Sequence, residues 1–397
     1  MKAENSQNKL VQIVPNISLC RKILSIMKIR MVWKYAPSSE EIKRGERNPE
    51  ERARIARESL EKWGKAGKEV NRKIDELFEK IPAYQERLKT EDLQNVREDM
   101  VFCYFAYGFE PDEYFCFQLE EKNAVDRRRY ISTRQRTTYR CRMNNIIDAS
   151  LFNDKMKTYD RFKEYFKRDA ISIDSESDFE TFDEFVAKHP VFVKKAVYLA
   201  QGAGVTLENI ENCGKSRREY FDEMLGKGKY ILEELITQTS EMAAFNASSV
   251  NTIRAISFLT RDGVVVPYCT LRTGRPGSFV DNAGAGGVQA CIDYETGMIV
   301  SDGYDEIGGV YTCHPASGTV FRGYKMPEWD NLKSMINEVA SSVPLTKFIG
   351  WDFAHTQNGW VIVEGNENPN VIAKQMIIGE GMRPVFDKIM KDMDLII

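Results

Sequence analysis

The sequence predicts an α+β fold, with a mixed and largely antiparallel sheet, helices between its strands and a helical region before it. Three observations predict this class. Strand-like apolar runs recur after about residue 150, and turn dipeptides such as Asp262-Gly263 join several of them, as in hairpins. Helical patterns separate other strands of the same region. Residues 38–91 carry apolar side chains at helical spacing.

The N-terminal region is predicted to be helical. Asn48-Pro49-Glu50-Glu51 has the features of a helix start: a side-chain cap, a proline in the first turn and acids at the positive end of the helix dipole. The apolar residues at helical spacing are Ile55, Leu60, Trp63, Val70, Ile74, Leu77, Phe78 and Ile81. Residues 10–35 mix apolar and basic side chains, and we expect a helix packed on its own domain, with a membrane-surface helix as the alternative.

Two segments between residues 100 and 150 stand out by composition. The aromatic-rich stretch from Phe102 to Phe115 is interpreted as a packing layer that closes the helical part. The stretch 126–142 holds seven arginines. It is either a site for an anionic substrate, such as a phosphorylated or uronic-acid compound, or a solvated helix face whose partners lie elsewhere.

The strand-like runs lie beyond residue 150. They are HPVFVKKAVYL at 189–199, KYILEELI at 229–236, VNTIRAISFLT at 250–260, GVVVPYCTLR at 263–272, FIGWDFA at 348–354 and GWVIVEG at 359–365. The helical segments between them are 156–167, 180–188 and 328–342. Thr296-Gly297 is predicted to turn one further pair of strands.

Composition excludes several classes of protein. Hydrophobic residues make up 42% of the 397, enough for two or three domains, and a net charge of −3 does not fit a strongly basic nucleic-acid binder. The eight cysteines form no C-x-x-C pair, and no secretory signal is recognised. We therefore expect free thiols and a cytoplasmic location, at the inner face of the membrane if residues 10–35 bind lipid.

Familiar nucleotide-binding and nucleophile motifs are absent from the sequence. The run CGKS at 213–216 lacks the upstream glycine of a P-loop, and Leu207 stands where a dinucleotide fingerprint starting at Gly202 needs its third glycine. There is no G-x-S-x-G elbow, and the three histidines are far apart along the chain. We expect the histidines to be structural.

The stretch GWDFAHTQNGWVIVEGNENPN places polar side chains where two strands should pack. A two-residue Asn-Gly loop would put Asp352 and Glu364 on opposite faces. A three-residue Gln-Asn-Gly loop pairs them directly, and Asn366 then shares their face. Opposed carboxylates repel each other, and a Mg²⁺ ion held by these oxygens would remove the repulsion. We predict a metal site at Asp352, Glu364 and Asn366; a solvent-facing edge without a ligand is the alternative.

A lysine followed by a glycine loop points to phosphate binding. The run VFVK ends at Lys194, and backbone N–H groups around Gly202 and Gly204 could approach phosphate oxygens. The next predicted strand ends at residues 233–236, EELI, where backbone groups could pair with an adenine edge and an acidic side chain could take a ribose hydroxyl. A surface hairpin with a solvated lysine is the alternative.

In their order along the chain, these features resemble the ATP-grasp superfamily. Together they are most similar to the sugar-transfer-associated ATP-grasp family. The residues and motifs that carry the similarity are Lys155 before a helix, Lys194, EELI, the NTxR strand, Arg272 and Asn282 in LRTGRPGSFVDNAGAGG, GWD and EGN. The similarity covers about residues 100–397. It implies two α+β subdomains that grip ATP between mostly antiparallel sheets. The expected boundaries are a helical region 1–99, a connecting segment 100–150, a first subdomain with a glycine-rich lid 151–240, and a second subdomain with the magnesium site 241–397.

The resemblance implies how the first subdomain binds ATP. Lys155 and Lys194 would contact the phosphates or the adenine. Lys195 occupies the position of the family's usual proline, so either member of the lysine pair could enter the site. Gly202 and Gly204 would lie in the flexible lid over the phosphates.

The resemblance also implies the remaining roles. Main-chain groups of Glu233 and Leu235 would hold the adenine, with Glu234 or Gln238 nearer the ribose. The predicted catalytic residues are Arg254, Arg272 and Asn282. The two arginines would neutralise the γ-phosphate and a developing acyl phosphate, and the predicted metal site would hold one or two Mg²⁺ ions.

The activity implied by the resemblance is ATP-dependent ligation of a carboxylate to an amine through an acyl phosphate. The family association suggests that an amino acid is joined to a sugar or uronic acid during surface-polysaccharide biosynthesis. The expected partners are a small-molecule or saccharide acid and an amine, with no nucleic acid. Two alternatives stay open: a kinase of the same fold that phosphorylates a sugar or polyol hydroxyl, and a non-catalytic nucleotide-binding scaffold.

Overall fold

The fold was obtained as a computed structural model that describes residues 34–197, 204–277, 281 and 286–395. Gly202, Asn282 and nearly all of the basic segment 10–35 lie outside these residues, so the predictions made for them stay predictions. None of the described helices is long and apolar enough to cross a bilayer.

Among the described residues, nine helices precede the first strand, and the first of them confirm the helical prediction for residues 38–91; eight end before residue 144, and the ninth packs on the large sheet described below. The eight are α1 Ser39–Arg47, α2 Pro49–Trp63, α3 Lys65–Lys80, α4 Pro82–Arg87, α5 Gln94–Ala106, α6 Pro111–Cys116, α7 Ala124–Arg127 and α8 Thr133–Met143. The predicted cap of α2 is confirmed, because the Asn48 side chain accepts the backbone N–H of Glu50 at 2.8 Å. The aromatic layer is also confirmed: Phe102, Phe105 and Phe109 are buried in the core of this helical region.

A small antiparallel sheet follows, with strand order β1-β4-β2-β3. Its strands are β1 Ala170–Ile173, β2 Val191–Ala196, β3 Val205–Asn209 and β4 Tyr230–Glu234. One face packs through Phe182, Phe192 and Phe221 against helices α10 Phe179–Lys188 and α11 Arg217–Lys227. The opposite face carries Lys195 and Glu233, which belong to the candidate site described below.

The large sheet has seven strands in the order β11-β10-β5-β6-β7-β8-β9, all antiparallel. They are β5 Thr252–Thr260, β6 Gly263–Thr273, β7 Val288–Ile292, β8 Gly303–Tyr304, β9 Val310–Tyr311, β10 Phe348–Thr356 and β11 Gly359–Asn366. The predicted α+β class with largely antiparallel sheets is therefore confirmed, and so are the six predicted strands.

The two faces of the large sheet differ. One packs against α9 Lys155–Phe166 and α13 Trp329–Ser341 through a core that includes Trp351 and Phe353. The other is covered at one end by α8 and by α15 Arg383–Asp392, where Phe258 stacks on Phe348 and meets Phe386 edge to face. The rest of this second face carries charged side chains. Two short helices, α12 Ser240–Ala243 and α14 Ile372–Ile378, complete the described set.

The hairpin of β10 and β11 confirms the predicted pairing of Asp352 with Glu364 but not the predicted turn. Thr356 pairs with Gly359, so the loop has two residues rather than three. Gly359 adopts a left-handed conformation at φ +79°, as expected for this turn. A bulge at Val363 then shifts the register by one residue and brings Glu364 opposite Asp352.

Candidate active site

A row of side chains crosses four strands of the large sheet on its polar face. Glu364 on β11 pairs with Asp352 on β10, Asp352 pairs with Arg254 on β5, and Arg254 pairs with Thr270 on β6. Directly paired residues project from the same face of a sheet. The backbone register alone therefore places two carboxylates, a guanidinium and a hydroxyl side by side.

Asp352 is held by two arginines. Arg254 binds both of its carboxylate oxygens, with Nη2 2.7 Å from Oδ2, and Arg272 Nη1 lies 2.9 Å from the same Oδ2. Asp352 is only 5% exposed. Burial alone would raise the pKa of this carboxyl, but the guanidinium groups of Arg254 and Arg272 outweigh burial and lower it. The predicted pair of catalytic arginines is thus brought to the predicted metal-site aspartate.

Asp281 also belongs to this group, and sequence reasoning missed it. Arg272 Nη2 lies 3.3 Å from Asp281 Oδ1, and the Thr252 hydroxyl donates a hydrogen bond to the other oxygen. Burial raises the pKa of Asp281 despite the nearby Arg272. Asp281 directly precedes the predicted Asn282, so its place in the DNAGAGG run was the available sequence clue.

The small sheet contributes a second charged group. Lys195 Nζ lies 2.6 Å from Glu233 Oε1, and Arg168 Nη2 lies 2.8 Å from Glu233 Oε2. Burial would raise the pKa of Glu233, but Lys195 and Arg168 outweigh it and lower the pKa to about 2. Arg168 also donates to the backbone carbonyl of Ile362 at 2.6 Å, so one side chain joins β4 of the small sheet to β11 of the large one.

The structure separates the two neighbouring lysines of β2. Lys194 faces the helices, where its Nζ lies 2.6 Å from Glu208 and 3.2 Å from the Tyr220 hydroxyl. Lys195 projects from the opposite face, beside Glu233. The structure therefore does not bring Lys194 to the charged cluster, and it favours Lys195 as the member of the pair that enters the site.

Lys155, at the start of α9, lies between the two charged groups. The pKa of this lysine is lowered, because the effect of burial outweighs that of the Glu364 carboxylate on the large sheet, which acts to raise it. Lys195 and Glu233 of the small sheet perturb the pKa of the same amine. Lys155 therefore interacts electrostatically with charged groups of both sheets, and its contact with a nucleotide stays a prediction.

Two of the predicted ribose ligands are directed elsewhere. The Glu234 carboxylate accepts the backbone N–H of Asp169 at 3.0 Å, on the side of the sheet that faces the helices. The Gln238 carboxamide donates to the carbonyl oxygens of Asn246 and Ser249 and accepts the Asn251 N–H, so it holds a loop in place. The structure therefore does not bring either side chain to the charged cluster.

Leu235 is predicted to hold the adenine through its main chain, and Gly204 is predicted to lie in the lid. Leu235 follows β4 directly, half-buried in the connection toward the large sheet. Gly204 adopts φ +75° just before β3, and its carbonyl accepts the N–H of Ala196 at 3.1 Å. A left-handed backbone at this position, directly before β3, suits glycine.

The three predicted metal ligands supply only oxygen donors, which suits a hard cation such as Mg²⁺. Glu364 is exposed and makes no hydrogen bond or ion pair with any residue that the structure describes. Asn366 Oδ1 accepts one hydrogen bond, from the Asn368 N–H at 2.9 Å. Asp352 accepts three charge-assisted bonds, and a carboxylate can accept about four. The donor set therefore fits magnesium, with Glu364 as its most accessible member.

Comparison with known proteins was made on this basis. The family model described as sugar-transfer associated ATP-grasp matches residues 134–391, more than half of the chain. Among solved structures, the chain is similar to the ATP-grasp ligase PsnB complexed with minimal precursor, with 11% identity, a TM-score of 0.40 and 63% of each chain covered. It is also similar to the VanG D-Ala:D-Ser ligase from Enterococcus faecalis, with 14% identity, a TM-score of 0.39, and 62% of this chain and 63% of that chain covered.

The match therefore spans less than two thirds of the length of these solved structures. No curated protein matches the chain in sequence.

Proposed function

Because this chain belongs to the sugar-transfer-associated ATP-grasp family, we propose that it is an ATP-dependent ligase that joins a carboxylate to an amine through an acyl phosphate. The observation that carries the proposal is the group formed by buried Asp352 and its half-buried partners Arg254 and Arg272, with Glu364 beside it on one sheet face. Opposed carboxylates beside paired guanidinium groups suit the transfer of a phosphoryl group, in which negative charge must be gathered and neutralised.

The nucleotide would lie between the two sheets. Lys155 of α9 and Lys195 of the small sheet would provide positive charge for its phosphates. The Glu233 carboxylate fixes Lys195 by a 2.6 Å ion pair, so this ammonium group is already oriented before the nucleotide binds. Backbone groups of Glu233 and Leu235 would pair with the adenine, and Gly204 would belong to the loop that approaches the phosphates.

Asp352, Glu364 and Asn366 would hold magnesium, and Asn282 remains a proposed catalytic residue. Bound magnesium would neutralise charge on the nucleotide's phosphate oxygens and so reduce their repulsion of an incoming carboxylate. Within the described residues, Arg254 and Arg272 each spend two of their five N–H donors on acidic side chains. Their remaining donors are available to the transferred phosphoryl group.

The reaction proceeds in two steps. A carboxylate oxygen of the acid attacks the γ-phosphorus, the bond to the β–γ bridging oxygen breaks, and ADP leaves. The amine then attacks the acyl carbon, phosphate leaves with the electron pair of the C–O bond, and the nitrogen loses a proton to give the amide. The arginines stabilise the charge of both steps, and no covalent enzyme intermediate is needed. The family's association with sugar transfer supports a saccharide, such as a uronic acid or amino sugar, as one of the two substrates.

Product analysis tests the proposal. The enzyme is incubated with Mg-ATP and a panel of sugar acids, with and without amino acids, and ADP, phosphate and new products are quantified. A ligase releases ADP and phosphate in equal amounts only when acid and amine are both present. With hydroxylamine as the amine, an acyl phosphate yields a hydroxamate. A kinase gives ADP and a stable phosphoester without any amine, and that result would replace the ligase proposal.

A matched pair of variants tests the site itself. Glu364→Gln is expected to weaken Mg-ATP binding by roughly tenfold or more, because it removes the most accessible carboxylate of the metal set. Glu367→Gln, three residues along, removes a buried carboxylate that lies 3.7 Å from Arg140, and should leave Mg-ATP binding nearly unchanged. Equal effects of the two substitutions on Mg-ATP affinity would contradict the placement of the metal.

A further inference from the structure

Three buried polar atoms without partners lie on the same side of the large sheet as the charged row. Within the described part of the chain, Arg136 Nε, Tyr268 Oη and Thr270 Oγ1 are buried and make no hydrogen bond. Tyr268 is 3% exposed and Thr270 is fully buried. Buried polar groups nearly always have partners, because leaving one unpaired costs free energy. Three such atoms near one another indicate a place for a bound molecule.

The two hydroxyls are neighbours of a proposed catalytic arginine. Thr270 is the direct strand partner of Arg254, and Tyr268 is the partner of Ile256 two residues further along the same strands. Side chains two residues apart project from one face, about 7 Å from each other. Tyr268 and Thr270 therefore extend the polar face from Arg254 toward the end that α8 covers.

Helix α8 brings the third group. Its residues Tyr139 and Met143 pack in one cluster with Ile256 and Tyr268, so the helix lies over this end of the sheet. The electrostatic neighbours agree, because Arg254 and Arg136 both lower the pKa of the Tyr268 hydroxyl against the larger effect of burial. Tyr268 thus lies close to Arg254 of the sheet and to Arg136 of the helix.

Among the described residues no acid forms an ion pair with Arg136, although Glu113 and Asp112 lie near enough to act on its charge. In the described chain its guanidinium makes no hydrogen bond and no ion pair, and burial lowers its pKa. The nearby Glu113 carboxylate already accepts the backbone N–H groups of Glu110 and Thr133 and the Thr133 hydroxyl. Arg140, one turn further along α8, lies 3.7 Å from Glu367. Arg136 is half-buried with its Nε shielded from solvent, and leaving such a cation without an ion pair costs free energy, so this environment favours an anion.

The other arginines of the segment 126–142 do not share this property. Arg127 is buried in a bidentate ion pair with Asp99, and Arg134 donates to the carbonyl oxygens of Tyr104 and Phe105. Arg129 is exposed. The segment is therefore neither wholly a solvated face nor wholly an anion site, and Arg136 is the member that points to a ligand.

We propose that Arg136, Tyr268 and Thr270, with Arg140 behind them, form the pocket for the acid substrate, and that this acid is a polyhydroxylated carboxylate. Its carboxylate would lie between Arg136 and Arg254, where it meets a phosphoryl group held by Arg254 and Arg272. Its hydroxyl groups would pair with the Tyr268 and Thr270 hydroxyls. This inference rests on the proposed ligase function and names its substrate class.

Binding measurements test the pocket without knowledge of the second substrate. D-glucuronate and D-galacturonate are titrated into the full chain in the presence of Mg-ADP, with glucose, galactose and acetate as comparison ligands. A sugar acid is expected to bind more tightly than its neutral parent sugar and more tightly than acetate. Arg136→Gln should weaken binding of the sugar acid roughly 10- to 100-fold, because a hydrogen-bonded charge pair is lost. Arg136→Lys should recover part of the lost affinity. Arg129→Gln is the matched control and should leave binding unchanged.

The hydroxyls give a second, sharper readout. Tyr268→Phe removes a group that has no partner in the free protein, so thermal stability should stay the same or rise. The same variant should weaken sugar-acid binding roughly 3- to 10-fold and leave acetate binding unaltered. A purely structural role would instead lower the melting temperature and leave ligand affinity alone.

The outcomes separate the two proposals. Sugar acids that bind equally well to wild type and Arg136→Gln, or a panel in which neutral sugars bind as tightly as acids, would overturn the pocket even if the chain proves to be a ligase. Arg136-dependent binding of sugar acids in an enzyme that phosphorylates a hydroxyl would keep the pocket and overturn the ligase reaction.

Discussion

Replacing Glu233 with glutamine tests the charged group that joins the two sheets. The carboxylate is 7% exposed, with Lys195 Nζ at 2.6 Å and Arg168 Nη2 at 2.8 Å. Glutamine keeps the shape but not the charge, so two cations would remain in a buried place with no anion between them. Removing one partner from a buried ion pair is strongly destabilising for this reason.

The magnitude follows from the pKa of Glu233. It is lowered from 4.5 to about 2 on folding, a difference of about 2.5, which corresponds to roughly 3 kcal/mol at 1.36 kcal/mol for each pKa unit. Because the folded pKa lies below the unfolded one, the unfolded chain binds the proton more tightly. The stabilisation is therefore complete above pH 4.5 and is lost as the pH falls toward 2.

Urea unfolding followed by circular dichroism measures the effect at pH 7 and at pH 3. Glu233→Gln is expected to lower the free energy of the first unfolding transition by about 3 kcal/mol at pH 7, and by clearly less at pH 3. Glu234→Gln is the matched control, because this half-buried side chain accepts the backbone N–H of Asp169, which the glutamine carbonyl oxygen can still accept, and the substitution should cost no more than about 1 kcal/mol. A Glu233→Gln loss no larger than that of the control, or one independent of pH, would refute the reasoning.

Three further predictions concern nucleotide binding, the turn and the core. Lys195→Gln should weaken Mg-ATP binding about 10- to 100-fold in fluorescence titrations, whereas Lys194→Gln should change it little, because the two side chains lie on opposite faces of β2. Gly359→Ala should cost about 1 kcal/mol in thermal unfolding, since φ is +79° and the added methyl group meets no atom closer than 3.6 Å; an unchanged melting temperature would contradict this. Phe258→Ala should cost about 3–5 kcal/mol in urea unfolding, because the fully buried ring packs between two other phenylalanines.

The long strands could be predicted from the sequence because their local pattern agrees with their environment. The run predicted at 250–260 forms β5 over Thr252–Thr260, rich in β-branched and apolar side chains. The strands that escaped prediction are short. Ala170–Ile173 has four residues, β3 and β7 have five each, and β8 and β9 have two each. So few residues give little basis for recognising a period of two.

The site could be predicted in part. Motif order brought Arg254, Arg272 and Asp352 together, and the structure places them in direct contact. The choice between Lys194 and Lys195 could not be made, because the preceding Phe192 and Val193 are both apolar and give no indication of which face is covered by helices. The involvement of Asp281 depends on contacts between segments distant in sequence, which local patterns do not encode.

The same limit applies to Glu234 and Gln238. Both are polar residues close to the connection between the sheets, where a ribose ligand would be expected. Their side chains instead pair with backbone groups of Asp169 and of the loop around Ser249. Buried backbone N–H and carbonyl groups need hydrogen-bond partners, and polar side chains often supply them. The sequence alone does not distinguish such side chains from those that bind a nucleotide.

The bulge at Val363 changes the face of the sheet from which the following side chains of β11 project. Trp360, Ile362 and Glu364 have the same parity, so an unbroken strand would send all three side chains to one side and force the carboxylate into the apolar core beside Trp351. The bulge lets the tryptophan and isoleucine face inward while the glutamate faces out. If Glu364 binds the metal as proposed, the number of residues between Ile362 and Glu364 is critical, because one residue fewer would turn the carboxylate away from Asp352 and toward the core.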